Sequence, residues 1–100
     1  MKKFAVAALL MASSLAYADR GVDELYPKTC GVCHEAGVAG APKIGDAVAW
    51  KTRFDAKGGI DGLLTSVKNG LNAMPPKGMC NDCTDGEYKS LIEHMTKPAA

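Results

Sequence analysis

A chain of 100 residues is long enough for one domain and no more, and its 12 lysines and arginines nearly cancel its 11 carboxylates. That balance, with no basic run and no glycine-rich phosphate cradle, excludes a nucleic-acid binder or a polybasic membrane-surface protein.

Met1-Lys2-Lys3 is a positive start, Phe4 to Leu15 is apolar apart from Ser13 and Ser14, and Ala16-Tyr17-Ala18 is a small-x-small cleavage pattern. A membrane span needs roughly 20 apolar residues, so residues 1–18 read as a cleaved secretory signal. The mature domain is then 19–100, with no transmembrane segment. Removing Lys2 and Lys3 leaves 10 basic against 11 acidic side chains. An exported domain of this size has a protein core worth only roughly 3–5 kcal/mol, so a staple or a cofactor is expected.

From Val22 the apolar positions Val22, Leu25, Tyr26, Cys30 and Cys33 follow helical spacing. Pro27 interrupts them, at a cost of about 3 kcal/mol inside a straight helix, so a bend near Tyr26 is expected. This helix would deliver Cys30-Gly31-Val32-Cys33-His34 at its C-terminal end. Two thiols three residues apart followed by an imidazole read as a c-type haem attachment site, with two thioether anchors and one axial ligand in a single short peptide. Rival readings are a thiol–disulfide redox pair, half of a zinc site, or a structural disulfide beside a chance histidine.

Residues 37–42 are a glycine- and proline-rich loop. The next helix opens at Asp46 and runs to about Lys57, with Ala47, Trp50 and Phe54 facing inward. Gly58-Gly59 breaks it. Ile60, Leu63, Leu64 and Val67 mark a third helix, stopped at Asn69-Gly70. Pro75, Pro76 and Gly78 exclude regular structure from 71 to 79. Thr84 and Glu87 form a capping-box pattern ahead of a final helix with the stripe Tyr88, Leu91, Ile92, Met95, ended by Pro98. No period-two strand is present, so the fold class is all-α, with four short helices. A thioredoxin-like fold, which needs βαβ units, is disfavoured.

If His34 is one axial ligand, the other comes from Met74, Met79, Met95 or His94. Met95 lies on an apolar stripe, His94 beside it, and Met79 adjoins Cys80. Met74 stands in a loop stiffened by Pro75 and Pro76 and is preferred, against the plain alternative that Asn72-Ala73-Met74-Pro75-Pro76 is only a turn. A four-cysteine zinc site would need 46 residues between the two cysteine pairs, against roughly 15–20 in ribbons.

The helix into Cys30-Gly31-Val32-Cys33-His34, the Gly40-Ala41-Pro42 loop, Trp50-Lys51-Thr52-Arg53, Asn72-Ala73-Met74-Pro75-Pro76-Lys77-Gly78 and Cys80-Asn81-Asp82-Cys83 together resemble a class I cytochrome c of the small bacterial c5 type. Pro27 departs from that pattern in the first helix. The resemblance implies one covalently bound haem c, thioethers at Cys30 and Cys33, and axial ligands His34 and Met74. It also implies that the Pro42 carbonyl receives the other His34 ring N–H. Cys80–Cys83 reads as a structural disulfide. Trp50 and Arg53 would border the haem, with core packing and a solvated face as their plain alternatives. The function expected is a periplasmic carrier of single electrons, not an enzyme. Its partners would be redox proteins such as a membrane cytochrome complex, a terminal oxidase or a reductase. A haem peroxidase or gas-binding domain with an open sixth position is the alternative, followed by a thiol oxidoreductase using Cys30 and Cys33.

Overall fold

The computed structural model describes residues 19–98, so the expected secretory signal and its cleavage point lie outside the described residues. Five α-helices follow in order: α1 (Val22–Leu25), α2 (Gly31–His34), α3 (Ala47–Lys57), α4 (Ile60–Asn69) and α5 (Asp85–Thr96). Tighter 3₁₀ turns cover Tyr26–Lys28, Val38–Gly40 and Pro76–Met79. Among the described residues there is no strand beyond one isolated bridge, Leu71 with Met74. The all-α expectation therefore stands.

The expected first helix is two. Pro27 enters early in a 3₁₀ turn, and Thr29 then leaves helical geometry at φ −126°, ψ −97°. Proline cannot donate to the ladder, so the chain tightens and restarts instead of bending. The Cys30–His34 peptide thus rides on its own one-turn helix, α2, tied back by the Thr29 hydroxyl donating to Leu25 O at 2.7 Å.

Around α5 the core assembles. Leu25, Leu91 and Met95 are its most deeply buried side chains, joined by Tyr26, Trp50, Leu63, Val67, Tyr88 and Ile92. The i, i+3, i+4 stripe of α5 meets α1, α3 and α4 together. Its start is capped as expected: the Thr84 hydroxyl accepts from Glu87 N–H, and the Glu87 carboxylate accepts from Thr84 N–H. The same carboxylate is buried and takes the backbone N–H, Nε and Nη2 of Arg20, at 2.8, 2.8 and 3.0 Å. Arg20 also pairs with Asp82. Two positions expected to face inward on α3 do not: Ala47 is exposed, and Phe54 is 43% exposed. Only a narrow strip of α3 touches the core, and Trp50 is its one buried residue.

Candidate haem site

Two apolar clefts meet at His34, Pro42, Arg53, Leu71 and Met74. The larger encloses about 720 Å³ open in part to solvent, and Cys30, Cys33, Thr29, Gly78 and Met79 complete its wall. The smaller, about 550 Å³, reaches inward to Trp50, Leu63, Val67, Ile92 and Met95.

Helix α2 carries both thiols and the imidazole to this space. Gly31 is demanded by a close approach: a Cβ there would lie 2.8 Å from Tyr26 O and 2.9 Å from Tyr26 Cε2. The Tyr26 hydroxyl donates to Glu35 Oε1 at 3.0 Å, so the residues before and after the motif are clasped together. Burial pushes the Cys30 thiol above its ordinary pKa. That is the opposite of what an attacking redox thiol needs.

His34 is buried, and its Nδ1 lies 2.7 Å from Pro42 O. A carbonyl accepts only, so Nδ1 carries the proton and Nε2 is left with a lone pair. The ring plane is further set by Trp50, 5.4 Å away centroid to centroid and tilted by 31°. Trp50 Nε1 donates to Lys43 O at 2.8 Å, and Ile44 N–H donates to His34 O at 2.8 Å. The loop bearing the Pro42 carbonyl is therefore pinned on both sides.

Met74 is brought to the same clefts by a closed loop in which Leu71 and Met74 exchange both backbone hydrogen bonds, at 3.0 and 2.9 Å. The other ligand candidates stand differently, each on one cleft at most. Met95 is core at 2% exposure, and His94 packs edge-on to Tyr26 at 5.1 Å. Met79 borders the larger cleft but is half exposed. Arg53 lines both clefts and forms no ion pair among the described residues. Cys80 and Cys83 are bridged, with Cα atoms 5.5 Å apart.

Residues 18–95 match the family described as cytochrome C oxidase, cbb3-type, subunit III. The chain is 56% identical over 77 residues to cytochrome c5 of Azotobacter vinelandii, covering 77% of this chain and 93% of that protein. It is 53% identical to cytochrome c5 of Ectopseudomonas mendocina, covering 77% and 88%. The chain belongs to the class I c-type cytochromes, in the cytochrome c5 family. Cytochrome c-555 of Chlorobaculum tepidum is a more distant relative, 31% identical over 95% of both chains. Among solved structures, a chain of the electron transfer complex of nitrite reductase with cytochrome c superposes with a TM-score of 0.65. It is 38% identical and covers 74% of this chain and 88% of its own.

Haem c is the cofactor of this family, one per chain, and the residues present suit it. The cleft offers two free thiols on its rim, an imidazole with one nitrogen already committed, apolar walls, and an arginine without an anionic partner. The protein is accordingly a small monohaem c-type cytochrome of electron transfer.

Sequence reasoning missed Tyr26, Thr29, Leu71 and the Lys43 carbonyl as parts of the site's frame. Tyr26 carried a signal, since it lies on the apolar stripe leading into Cys30. The Lys43 carbonyl carried none, because any residue supplies one.

Proposed function

We propose that this protein is an exported carrier of single electrons whose iron is gripped by His34 and Met74, with thioethers from Cys30 and Cys33. The carrying observation is the His34 ring: Nδ1 is committed to the Pro42 carbonyl, which leaves Nε2 as the ligating nitrogen beside the clefts Met74 lines. Haem c supplies the ferric–ferrous couple when bound, and a thioether ligand raises its potential relative to a second histidine. The chain's own residues orient and exclude. Pro42 and Trp50 fix the imidazole, the loop closed at Leu71 and Met74 holds the thioether, and Leu63, Val67, Ile92 and Met95 keep water from the inner cleft. Arg53 offers its guanidinium to a porphyrin carboxylate.

His34 and Met74 together would hold the haem iron and leave it no place for a substrate, which favours a carrier over a peroxidase or gas-binding domain. The raised Cys30 thiol disfavours a thiol oxidoreductase. The leader at residues 1–18, absent from the mature domain 19–100, and the Cys80–Cys83 bridge support the periplasm, an oxidising compartment. The structural relative held in a complex with nitrite reductase supports redox-protein partners; the half-exposed Val38 and Met79 at the cleft mouth are the surface at which we place them.

The test is expression with a cytochrome c maturation system, followed by the mass of the denatured protein and the ferric spectrum. A mature chain heavier by one haem, with a methionine–iron charge-transfer band that Met74→Ala abolishes, is expected. Mass equal to the bare polypeptide refutes haem attachment. Absence of the band in the wild-type protein, with ready binding of external ligands, refutes the closed-site carrier.

A further inference from the structure

Lys77, Gly78 and Met79 are three consecutive residues in the left-handed region, with φ of 68°, 55° and 71°. For the two that carry a Cβ this conformation is costly and persists only where surrounding structure enforces it. Met79 does little of the enforcing, since its side chain is half exposed. Upstream, Gly78 N–H donates to Pro75 O at 3.1 Å; downstream, Cys80 N–H donates to Lys77 O at 2.9 Å. Both bonds lie within the segment itself and do not fix it to the helices.

The turn packs along α4, and its hydrogen-bonded tie to α5 is Tyr88. Its ring is 4% exposed, and its hydroxyl donates to Cys80 O at 2.6 Å. Burial raises the phenol above its ordinary pKa, so it remains a donor. The segment it anchors is the one that backs Met74. Gly78 is buried, and a Cβ added there would stand 3.3 Å from Met74 Cε, tighter than an ordinary van der Waals contact. The thioether methyl thus rests on the Gly78 backbone, two residues from the carbonyl that Tyr88 holds.

We propose that Tyr88 is a positioning residue for the Met74 thioether, fixing the strained 77–80 segment on α5 so that Gly78 supports the methionine from behind. This rests on Met74 being an axial ligand. The Cys80–Cys83 bridge closes a ring downstream of the segment, whereas the Tyr88 hydroxyl sets where that ring sits on α5. Without the hydroxyl the Cys80 carbonyl loses its buried donor and the segment is free to relax. The methionine then dissociates from the iron more often.

The experiment titrates ferric holoprotein with imidazole, which competes with the thioether for the sixth position. Tyr88→Phe keeps the ring and removes only the hydroxyl, and it is expected to bind imidazole about ten-fold more tightly, the population shift equivalent to one buried hydrogen bond. Gly78→Ala crowds the Met74 methyl directly and shifts the affinity the same way. It carries the test if Tyr88→Phe yields no holoprotein. In a Met74→Ala background the added Tyr88→Phe is expected to change nothing further. A Tyr88→Phe protein that melts lower but binds imidazole as the wild type does, or an unchanged affinity in Gly78→Ala, overturns the proposal. If Met74→Ala itself leaves the charge-transfer band and imidazole affinity unaltered, the ligand assignment falls, and the role of Tyr88 with it.

Discussion

Arg20→Ala tests a long-range ion pair, a contact between residues 67 apart in sequence. The substitution deletes the Nε and Nη2 bonds to Glu87 at 2.8 and 3.0 Å and the pairing with Asp82, while the backbone N–H bond survives. Glu87 keeps its charge but loses its counter-ion at a side chain only 4% exposed. Bonds to a charged group are worth about 1.5–3 kcal/mol each. The Arg20 side chain is 34% exposed, so water replaces part of what is lost, and Asp82, at 79%, adds almost nothing. A net loss of about 2 kcal/mol follows, or roughly 8–16 °C in Tm for a domain of this size.

The pH dependence identifies the cause. The Arg20 side-chain bonds first, then backbone N–H bonds from Arg20 and Thr84, hold the Glu87 carboxyl at about 2 against its ordinary 4.5. A carboxylate held down in the folded state stabilises fully above about pH 5, and loses that contribution as pH falls through 4.5 toward 2. Melting of wild type and Arg20→Ala holoprotein, followed by circular dichroism from pH 7 to pH 2.5, is therefore expected to show two curves converging in acid. Equal melting temperatures at pH 7, or a gap that does not narrow in acid, would refute the ion-pair account.

The remaining predictions use the same assay or a simpler one. Gly31→Ala forces a Cβ against Tyr26, an overpacking cost of about 1–3 kcal/mol; a lower Tm and a reduced yield of covalent haem on denaturing gels are expected. Leu91→Ala empties a site 1% exposed at the centre of the core and is expected to cost about 2–5 kcal/mol by denaturant titration. In a domain this small that approaches the whole stability. Thr84→Ala removes the cap of α5 and its bond to Asp19, at about 1 kcal/mol in the same titration, and leaves the ferric spectrum unchanged.

Legibility differed from element to element. The final helix was readable because its cap, stripe and stop are all local: Thr84 and Glu87 three apart, Tyr88 through Met95 at helical spacing, Pro98 beyond. The first helix was misjudged in degree, since a proline reports that a ladder bond is lost but not whether the chain bends or restarts. Phe54 and Ala47 were misassigned because helical periodicity marks a face but not how wide a strip of it is covered, and the strip covered on α3 is narrow. The attachment thiols and His34 were readable as a spacing, whereas the orientation of the His34 ring depends on where the Pro42 carbonyl lands.

Short-range patterns alone determined the helical class, the candidate attachment peptide, the paired cysteines and the candidate methionine, because each is a statement about residues within one or two turns of each other. Tertiary structure alone decided that Arg20 neutralises the capping carboxylate of α5, that Tyr26 makes Gly31 obligatory, and that Trp50 braces the loop beside His34. It also decided that, of Met74, Met79 and Met95, only Met74 is at once set on both clefts and held on a backbone closed upon itself. Of these only the Arg20 contact joins distant segments; the others run through carbonyls and ring edges common to many residues, so none leaves a pattern of residue types to read until the chain has folded.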